Sequence, residues 1–281
     1  MKTVIGIDVG GTTTKIVGFR YENKKKPTLI EPQFVRATDP VTSTYGAFGR
    51  FTMENEIKLD GIDRAMITGA GASAIEKPIY TVDLQKVSEF DCIGRGGLYL
   101  SGLDKAIVVS MGTGTAIVYA EKGDEDIKTE YLGGTGVGGG TMIGLTRRIL
   151  GVDNVEHIEQ LSREGNLDNI DLRIKDIAGK QYGEMDATLT ASNFGKLSDL
   201  ASNNDIALGI VNMVAETVGM MAVFAARGFG VSDIVLTGNL TTISAVRERI
   251  LSMNESFDVN FIIPEMAQYA TVIGAGLNGL K

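Results

Sequence analysis

The feature that most restricts this chain is a motif that occurs twice. Residues 5–17 read IGIDVGGTTTKIV and residues 107–118 read IVVSMGTGTAIV. Each is an apolar run, a polar residue (Asp8 or Ser110), a Gly/Thr turn and a second apolar run. Turns this short join antiparallel strands into β-hairpins. Two such hairpins in one chain point to duplicated lobes. At 281 residues the chain is long for one core and comfortable for two lobes sharing a cleft.

The pattern between and after the hairpins fills in the lobes. It predicts a helix within 43–58, a strand over 64–68 and a helix over 89–101. Beyond the second hairpin come a glycine loop at 133–140, where six of the eight residues are glycine, and a helix over 141–150. Helical periodicity runs through 206–228, a short strand over 234–236 ends in Thr237-Gly238, and a last helix starts near Ala270. Strands alternating with helices predict an α/β architecture. The expected lobes are 1–104 and 105–281, with the last helix returning to the first lobe.

Composition removes several function classes. A net charge of −8 repels phosphate backbones, so a nucleic-acid partner is not expected. The basic run Lys24-Lys25-Lys26 precedes Pro27 between two strands and reads as a solvated hairpin tip. Cys92 is the single cysteine, which rules out an intrachain disulfide and suits a reducing, cytoplasmic setting. The strand-like segment 3–9 leaves no room for a signal peptide. Residues 206–224 mimic a membrane span, but Asn212 and Glu216 would be costly at bilayer depth, so a buried helix and no membrane are expected. The single histidine, His157, lies in a charged helical stretch, which gives neither a zinc site nor a Ser-His-Asp triad a basis.

Four segments can carry chemistry. In D-V-G-G-T-T-T-K, Gly10 and Gly11 let backbone amides approach a phosphate, and the hydroxyls of Thr12 and Thr13 add donors. Lys15 supplies positive charge, and Asp8 can hold Mg2+ through water. The spacing is not that of a P-loop. Gly112-Thr113-Gly114-Thr115 is the matching turn of the repeat, and two such turns can grip a triphosphate from both sides. There Ser110 replaces the acid, so metal handling rests on Asp8. The loop 133–140 contains a formal G-x-G-x-x-G, but without the βαβ context of a dinucleotide site. It reads better as a loop opening a helix whose free N–H groups meet an anion. In V-S-E-F-D, Glu89 and Asp91 open a helix, where acids serve as caps.

Taken together, these residues resemble a family. D-V-G-G-T-T-T-K, V-S-E-F-D, M-G-T-G-T and G-T-G-V-G-G-G-T occur in the order seen in type II pantothenate kinases. So do N-I-D-L-R-I-K-D-I at 169–177 and L-T-A-S-N-F-G at 189–195. The hairpins alone mark the wider acetate kinase, sugar kinase, Hsp70 and actin superfamily, whose fold is a two-lobed, actin-like (ribonuclease H-like) ATPase with a central nucleotide cleft. The resemblance implies ATP-dependent phosphorylation of pantothenate to 4'-phosphopantothenate, the committed step toward coenzyme A. It implies that Glu89 is the general base, and that Glu89, Ser110, Tyr131 and Gly134 surround the acceptor. It further implies ATP contacts at Gly10, Gly11, Thr12, Lys15 and Thr113, at Gly139, Gly140, Thr141, Met142 and Ile143, and at Asn239. It also implies a homodimer through the helix at 206–228. At one position the chain departs from the family: Tyr131 stands where an arginine helps hold the pantothenate. Arg95, Arg147 and Arg148 are candidate replacements for that cation.

The expectation is therefore an in-line phosphoryl transfer from ATP, with Mg2+ near Asp8. Three alternatives stay open on the sequence. One is a kinase acting on a related alcohol such as pantetheine. Another is an actin-like scaffold or sugar-responsive regulator. The third is a dehydratase activator of the same superfamily, for which a single cysteine is too few to hold an iron–sulfur cluster.

Overall fold

A computed structural model describes residues 2–22, 26–36, 39–179, 183 and 187–281 of the chain. Lys24 and Lys25 of the expected hairpin tip lie outside the described residues. Strands β1 (Lys2–Val9), β2 (Thr13–Tyr21), β3 (Thr28–Arg36), β4 (Ile62–Thr68) and β5 (Leu84–Lys86) form one sheet in the order β3-β2-β1-β4-β5. β6 (Lys105–Met111), β7 (Thr115–Lys122) and β8 (Ile127–Thr135) begin a second sheet. After the small pair β9 (Leu172–Arg173) and β10 (Thr190–Ser192), that sheet is completed by β11 (Asp233–Thr237) and β12 (Asn260–Ile262). Its order is β8-β7-β6-β11-β12, the same path as the first. In each sheet the hairpin strands run antiparallel, and the first of them pairs in parallel with the strand beyond. β1 is buried at every position after Lys2, as a central strand covered on both faces must be.

The duplication extends past the hairpins. β4 and β11 each end in Thr-Gly and then a 3-10 turn, at Ala70–Ala74 and Asn239–Thr242. Gly69 and Gly238 take φ of 93° and 89°, a region costly for any side chain. A Cβ on Gly69 would lie 2.5 Å from the Val9 carbonyl oxygen, and one on Gly238 2.5 Å from that of Met111. The Thr68 hydroxyl donates to the Val87 carbonyl at 3.0 Å and the Thr237 hydroxyl to that of Val109 at 3.1 Å.

Helices cover the sheets. α1 (Pro40–Glu54) is opened by Asp39, whose carboxylate accepts from the Thr42 amide at 2.6 Å, and buries Ala47, Phe48 and Phe51 on the first sheet. α2 (Glu89–Ser101) runs beneath the second sheet. The long core of the second sheet is built with α3 (Gly139–Leu150), α4 (Val155–Arg163), α6 (Asn203–Phe229) and α7 (Ser244–Leu251). α5 (Ile174–Ala178) and α8 (Met253–Phe257) are single turns. α9 (Ala270–Asn278) lies across α2 and against β1, β2 and β4. The two helices touch backbone to backbone, because a Cβ on Gly96 would fall 1.8 Å from the Ala270 carbonyl oxygen.

α6 is long and apolar enough to cross a bilayer by length and composition. In this fold one face is core, and its polar residues are engaged. The Asn212 amide donates to Asp171 at 2.8 Å, and Glu216 takes bonds from Thr190, Asn193 and Arg249. Through these bonds the segments 169–177 and 189–195 pair as β9–β10 and dock on α6.

Candidate active site

The two hairpin turns face each other. A Cβ on Gly11 would lie 3.7 Å from the Thr113 hydroxyl oxygen of the second hairpin. Between the sheets opens a cleft of about 520 Å³. Thr12, Thr13 and Lys15 line it from the first hairpin, Gly112 and Thr113 from the second. Gly139, Gly140, Met142 and Ile143 of α3, and Asn239 after Gly238, complete the wall. Four sequence-distant segments named from the sequence thus meet in one cavity. Gly10, Gly11 and Thr141 stand next to lining residues without lining it themselves.

The glycine loop works differently from expectation. The amides of Gly139 and Gly140 are not free for an anion. They donate to the carbonyls of Gly112 and Thr113, at 2.9 and 2.8 Å. Cβ atoms there would stand 3.0 Å from the Gly112 oxygen and 2.9 Å from the Thr113 methyl. The glycines let α3 lock onto the second hairpin, fixing the turn that faces the cleft. The Thr141 hydroxyl ties the loop by donating to the Gly136 carbonyl at 2.9 Å.

Asp8 and Lys15 are directly paired neighbours in the β1–β2 register, and both are buried. The Lys15 ammonium donates to the Gln268 carbonyl at 2.6 Å. Burial pushes the Asp8 carboxyl up to about 6; Lys15 opposes that shift and Glu89 adds to it. Burial likewise pushes Lys15 down, and Asp8 opposes that. The three charges therefore sense one another, although of the three only Lys15 lines the cleft.

Glu89 and Asp91 share the first turn of α2, yet their surroundings differ. Asp91 accepts from Arg95, Thr129 and Asn278. The Glu89 side chain keeps contact with solvent and has no hydrogen-bond or ion-pair partner among the described residues. The surrounding protein still desolvates it enough to raise its pKa. A carboxylate left unpaired, with raised basicity, suits a proton acceptor better than a cap.

Of the residues the resemblance places around the acceptor, Tyr131 of β8 stacks on Phe90, with ring centroids 3.8 Å apart and planes 16° from parallel. This places Tyr131 beside the residue that follows Glu89. Ser110, next to last in β6, pairs with Ala116 on one side and Thr237 on the other. Gly134 packs within the sheet, where a Cβ would meet the Thr115 carbonyl oxygen at 2.2 Å. Arg95 is not a free cation, since it is 5% exposed and paired with Asp91 and Asp126. Arg147 pairs with Asp153 at 3.2 Å, and Arg148 is exposed on α3.

Sequence reasoning missed Gln268, Tyr269, and the cleft wall formed by Phe34, Arg36 and the start of α4, and, away from the lining, the tight turn at Gly69. Thr68-Gly69 was visible as a copy of Thr237-Gly238. The others carry no motif and reach the cleft only through sheet register and the crossing of chain segments.

The family described as Fumble matches residues 105–261. A type II pantothenate kinase of Bacillus cereus (strain AH820) is 30% identical, over 85% of this chain and 83% of that protein. One of Oceanobacillus iheyensis is 26% identical over 98% of each. Among solved structures, the activator of the 2-hydroxyisocaproyl-CoA dehydratase from Clostridium difficile, with bound ADPNP, superposes with a TM-score of 0.66 at 17% identity, covering 99% of this chain and 94% of that one. Component A of the Acidaminococcus fermentans (R)-2-hydroxyglutaryl-CoA dehydratase does so with 0.68 at 18%, covering 100% and 98%. At such identities these two share the actin-like fold and no more.

Proposed function

This chain belongs to the Fumble family of type II pantothenate kinases, and we propose that its cleft transfers the γ-phosphoryl group of ATP in line to the primary hydroxyl of pantothenate. The observation that carries this is the meeting of both Gly/Thr turns, Lys15 and Asn239 on one cleft, with the unpaired carboxylate of Glu89 nearby.

Each residue then has a task. The Gly11–Thr12 turn and the hydroxyls of Thr12 and Thr13, with Thr113 opposite, hold the phosphates, while the Gly10 amide closes the turn by donating to the Thr13 carbonyl at 2.9 Å. Lys15 stabilises charge that grows on the transferred group. Glu89 accepts the hydroxyl proton as the oxygen attacks. Met142, Ile143 and Asn239 sit where the nucleoside end of ATP would lie. Closing of the two lobes, taken as 1–104 and 105–281 with α9 returning to the first, excludes water as a competing acceptor.

A magnesium ion fits what is present. No cluster of three His, Cys, Asp or Glu exists among the described residues. Mg2+ on a nucleotide needs only one or two carboxylates besides the phosphates. Asp8, buried at the hairpin and without a hydrogen-bonded partner among the described residues, is the residue that would hold it, and the ion would offset phosphate charge. We also assign a cytoplasmic, homodimeric enzyme, with α6 at the dimer interface.

A second reading, a neutral acceptor such as pantetheine, draws on Tyr131 standing where the family has an arginine. An assay of ADP formation with pantothenate, pantetheine and simple sugars tests both. Turnover on pantothenate is expected, and turnover on sugars alone would overturn the reading.

A further inference from the structure

The cleft has a wall that none of the motifs announced. In the β2–β3 register Thr13 pairs with Arg36 and Lys15 with Phe34. Arg36 and Phe34, two residues apart, share one face of β3 and line the cleft beside the phosphate hairpin. Among the described residues, Lys15 and Arg36 are the cations that line this cavity. The opposite wall carries Asp153, Glu156 and Glu159.

The two cations differ in freedom. Lys15 is buried and its ammonium is held by the Gln268 carbonyl at 2.6 Å. Arg36 has 74% of its side chain exposed, and its one ion pair among the described residues is with Glu156, itself 79% exposed, at 4.0 Å across the cleft. An exposed pair at that separation contributes little and exchanges readily. Asp153 and Glu159 are otherwise engaged, with Arg147 in one case and with Ser244 and Arg163 in the other. A guanidinium offers a planar fork of donors matched to phosphate oxygens, more so than to a single distant carboxylate.

We propose that Arg36 is a second phosphate-binding residue, which leaves Glu156 and closes on the polyphosphate of ATP when the nucleotide enters. This rests on the reading of the cleft as a nucleotide site. Lys15 then stabilises the transferred group from within, and Arg36 clamps the chain of phosphates from the rim. Glu156 holds the arginine in place while the cleft is empty.

Calorimetry on the full chain without acceptor, titrating ATP and, separately, adenosine, tests this. Arg36→Ala should weaken ATP about tenfold and leave adenosine unchanged, with the loss shrinking at high salt. Arg36→Lys should recover part of it, which a collapsed fold would not allow. Glu156→Gln should tighten ATP, because it removes a competitor for the arginine. If Glu156→Gln instead weakens ATP as much as Arg36→Ala does, the pair is only a latch between the lobes and the proposal falls. Equal loss for adenosine would place Arg36 in shaping the pocket and also overturn it. Unchanged ATP affinity in Arg36→Ala, beside a loss in Lys15→Ala, would refute Arg36 alone. No change in either variant would remove the nucleotide reading of the cleft together with this proposal.

Discussion

Asp91 lies two residues after Glu89 on the first turn of α2 and accepts hydrogen bonds from Arg95, Thr129 and Asn278, whereas the Glu89 carboxylate has no bonded partner among the described residues. Within one turn of helix, one acid is thus held by a bonded network and the other is left without a bonded partner among the described residues. Asp91 is fixed because α2, β8 and α9 converge on it. Glu89 takes no part in that junction's bonds, and partial desolvation raises its basicity.

Glu89→Gln should lower kcat about a hundredfold or more while ATP binding stays near normal, since only proton acceptance is lost. The raised pKa sets the sign of the pH dependence. The base form is present above that pKa, so kcat falls as pH drops through a range higher than an ordinary glutamate's. A Gln variant with near-normal turnover, or an acid limb in the ordinary carboxylate range, would take the role from Glu89.

Arg95→Met should destabilise the fold by about 2–3 kcal/mol, because it leaves Asp91 and Asp126 without their buried partner; the half-exposure of Asp126 keeps the loss below that of a fully buried pair. Arg95 and Lys281 hold the Asp126 carboxyl well below the usual range. That stabilisation is complete above the unfolded-state pKa of aspartate and is lost as pH falls through the folded one. Denaturant midpoints at several pH values should therefore show a shallower acid dependence in Arg95→Met. KM for pantothenate should not move, and a large rise would return Arg95 to the acceptor site.

What was legible in the sequence was what repeats or alternates. Both hairpins, the helix at Glu89 and the helix at 206–228 follow from local pattern, because apolar runs and glycine turns state their own geometry. The halves' common strand order was legible only in part. Thr68-Gly69 repeats Thr237-Gly238, but two residues are too few to register as a motif. Arg36 and Gln268 reach the cleft through sheet register and the path of the 3-10 turn Ala267–Tyr269, which a linear pattern does not encode. The purpose of Gly139 and Gly140 was misread for a related reason. Their amides satisfy carbonyls of a hairpin many residues away, so the acceptors were invisible locally.

Lys15→Ala and Gly139→Val should both weaken ATP binding, by different routes. The first removes a cation next to Asp8 and leaves the fold intact. The second sets a branched side chain 3.0 Å from the Gly112 carbonyl, so α3 must shift from the second hairpin. Gly139→Val should therefore lower the melting temperature and loosen α3 from the second hairpin, whereas Lys15→Ala should cost only the local bond to the Gln268 carbonyl and leave α3 in place. Calorimetry with unchanged affinity in both variants would sink the phosphate cradle.

Met213, Thr217, Met220 and Phe224 form one stripe along α6, with Phe224 60% exposed. The opposite face of the helix is core. A second copy packed on this stripe gives the two-fold dimer proposed above. Phe224→Glu should convert a sedimenting dimer to monomer at micromolar concentration. A wild-type chain that sediments as a monomer would show that the stripe serves no dimer.

The stack of Tyr131 on Phe90 makes the acceptor side of this chain testable. Pantothenate carries a carboxylate, and a tyrosine can donate one hydrogen bond to it but supplies no charge. Arg95 is buried and tied to two aspartates, so it is not free to replace the missing cation. An arginine at position 131 could keep the stacking on Phe90 through its planar face and add the charge. A charge-assisted bond contributes about 1.5–3 kcal/mol, and with Tyr131 48% exposed the lower end applies, so a gain of about tenfold is expected. Tyr131→Arg should lower KM for pantothenate by that factor and leave KM for pantetheine, which has no carboxylate, nearly unchanged. Tyr131→Ala, which removes the stack, should raise KM for both. If wild type already binds pantothenate tightly and Tyr131→Arg is silent, the carboxylate is held by another part of the cleft. If pantetheine is the better acceptor in wild type and loses that lead in Tyr131→Arg, the tyrosine sets the preference for a neutral tail.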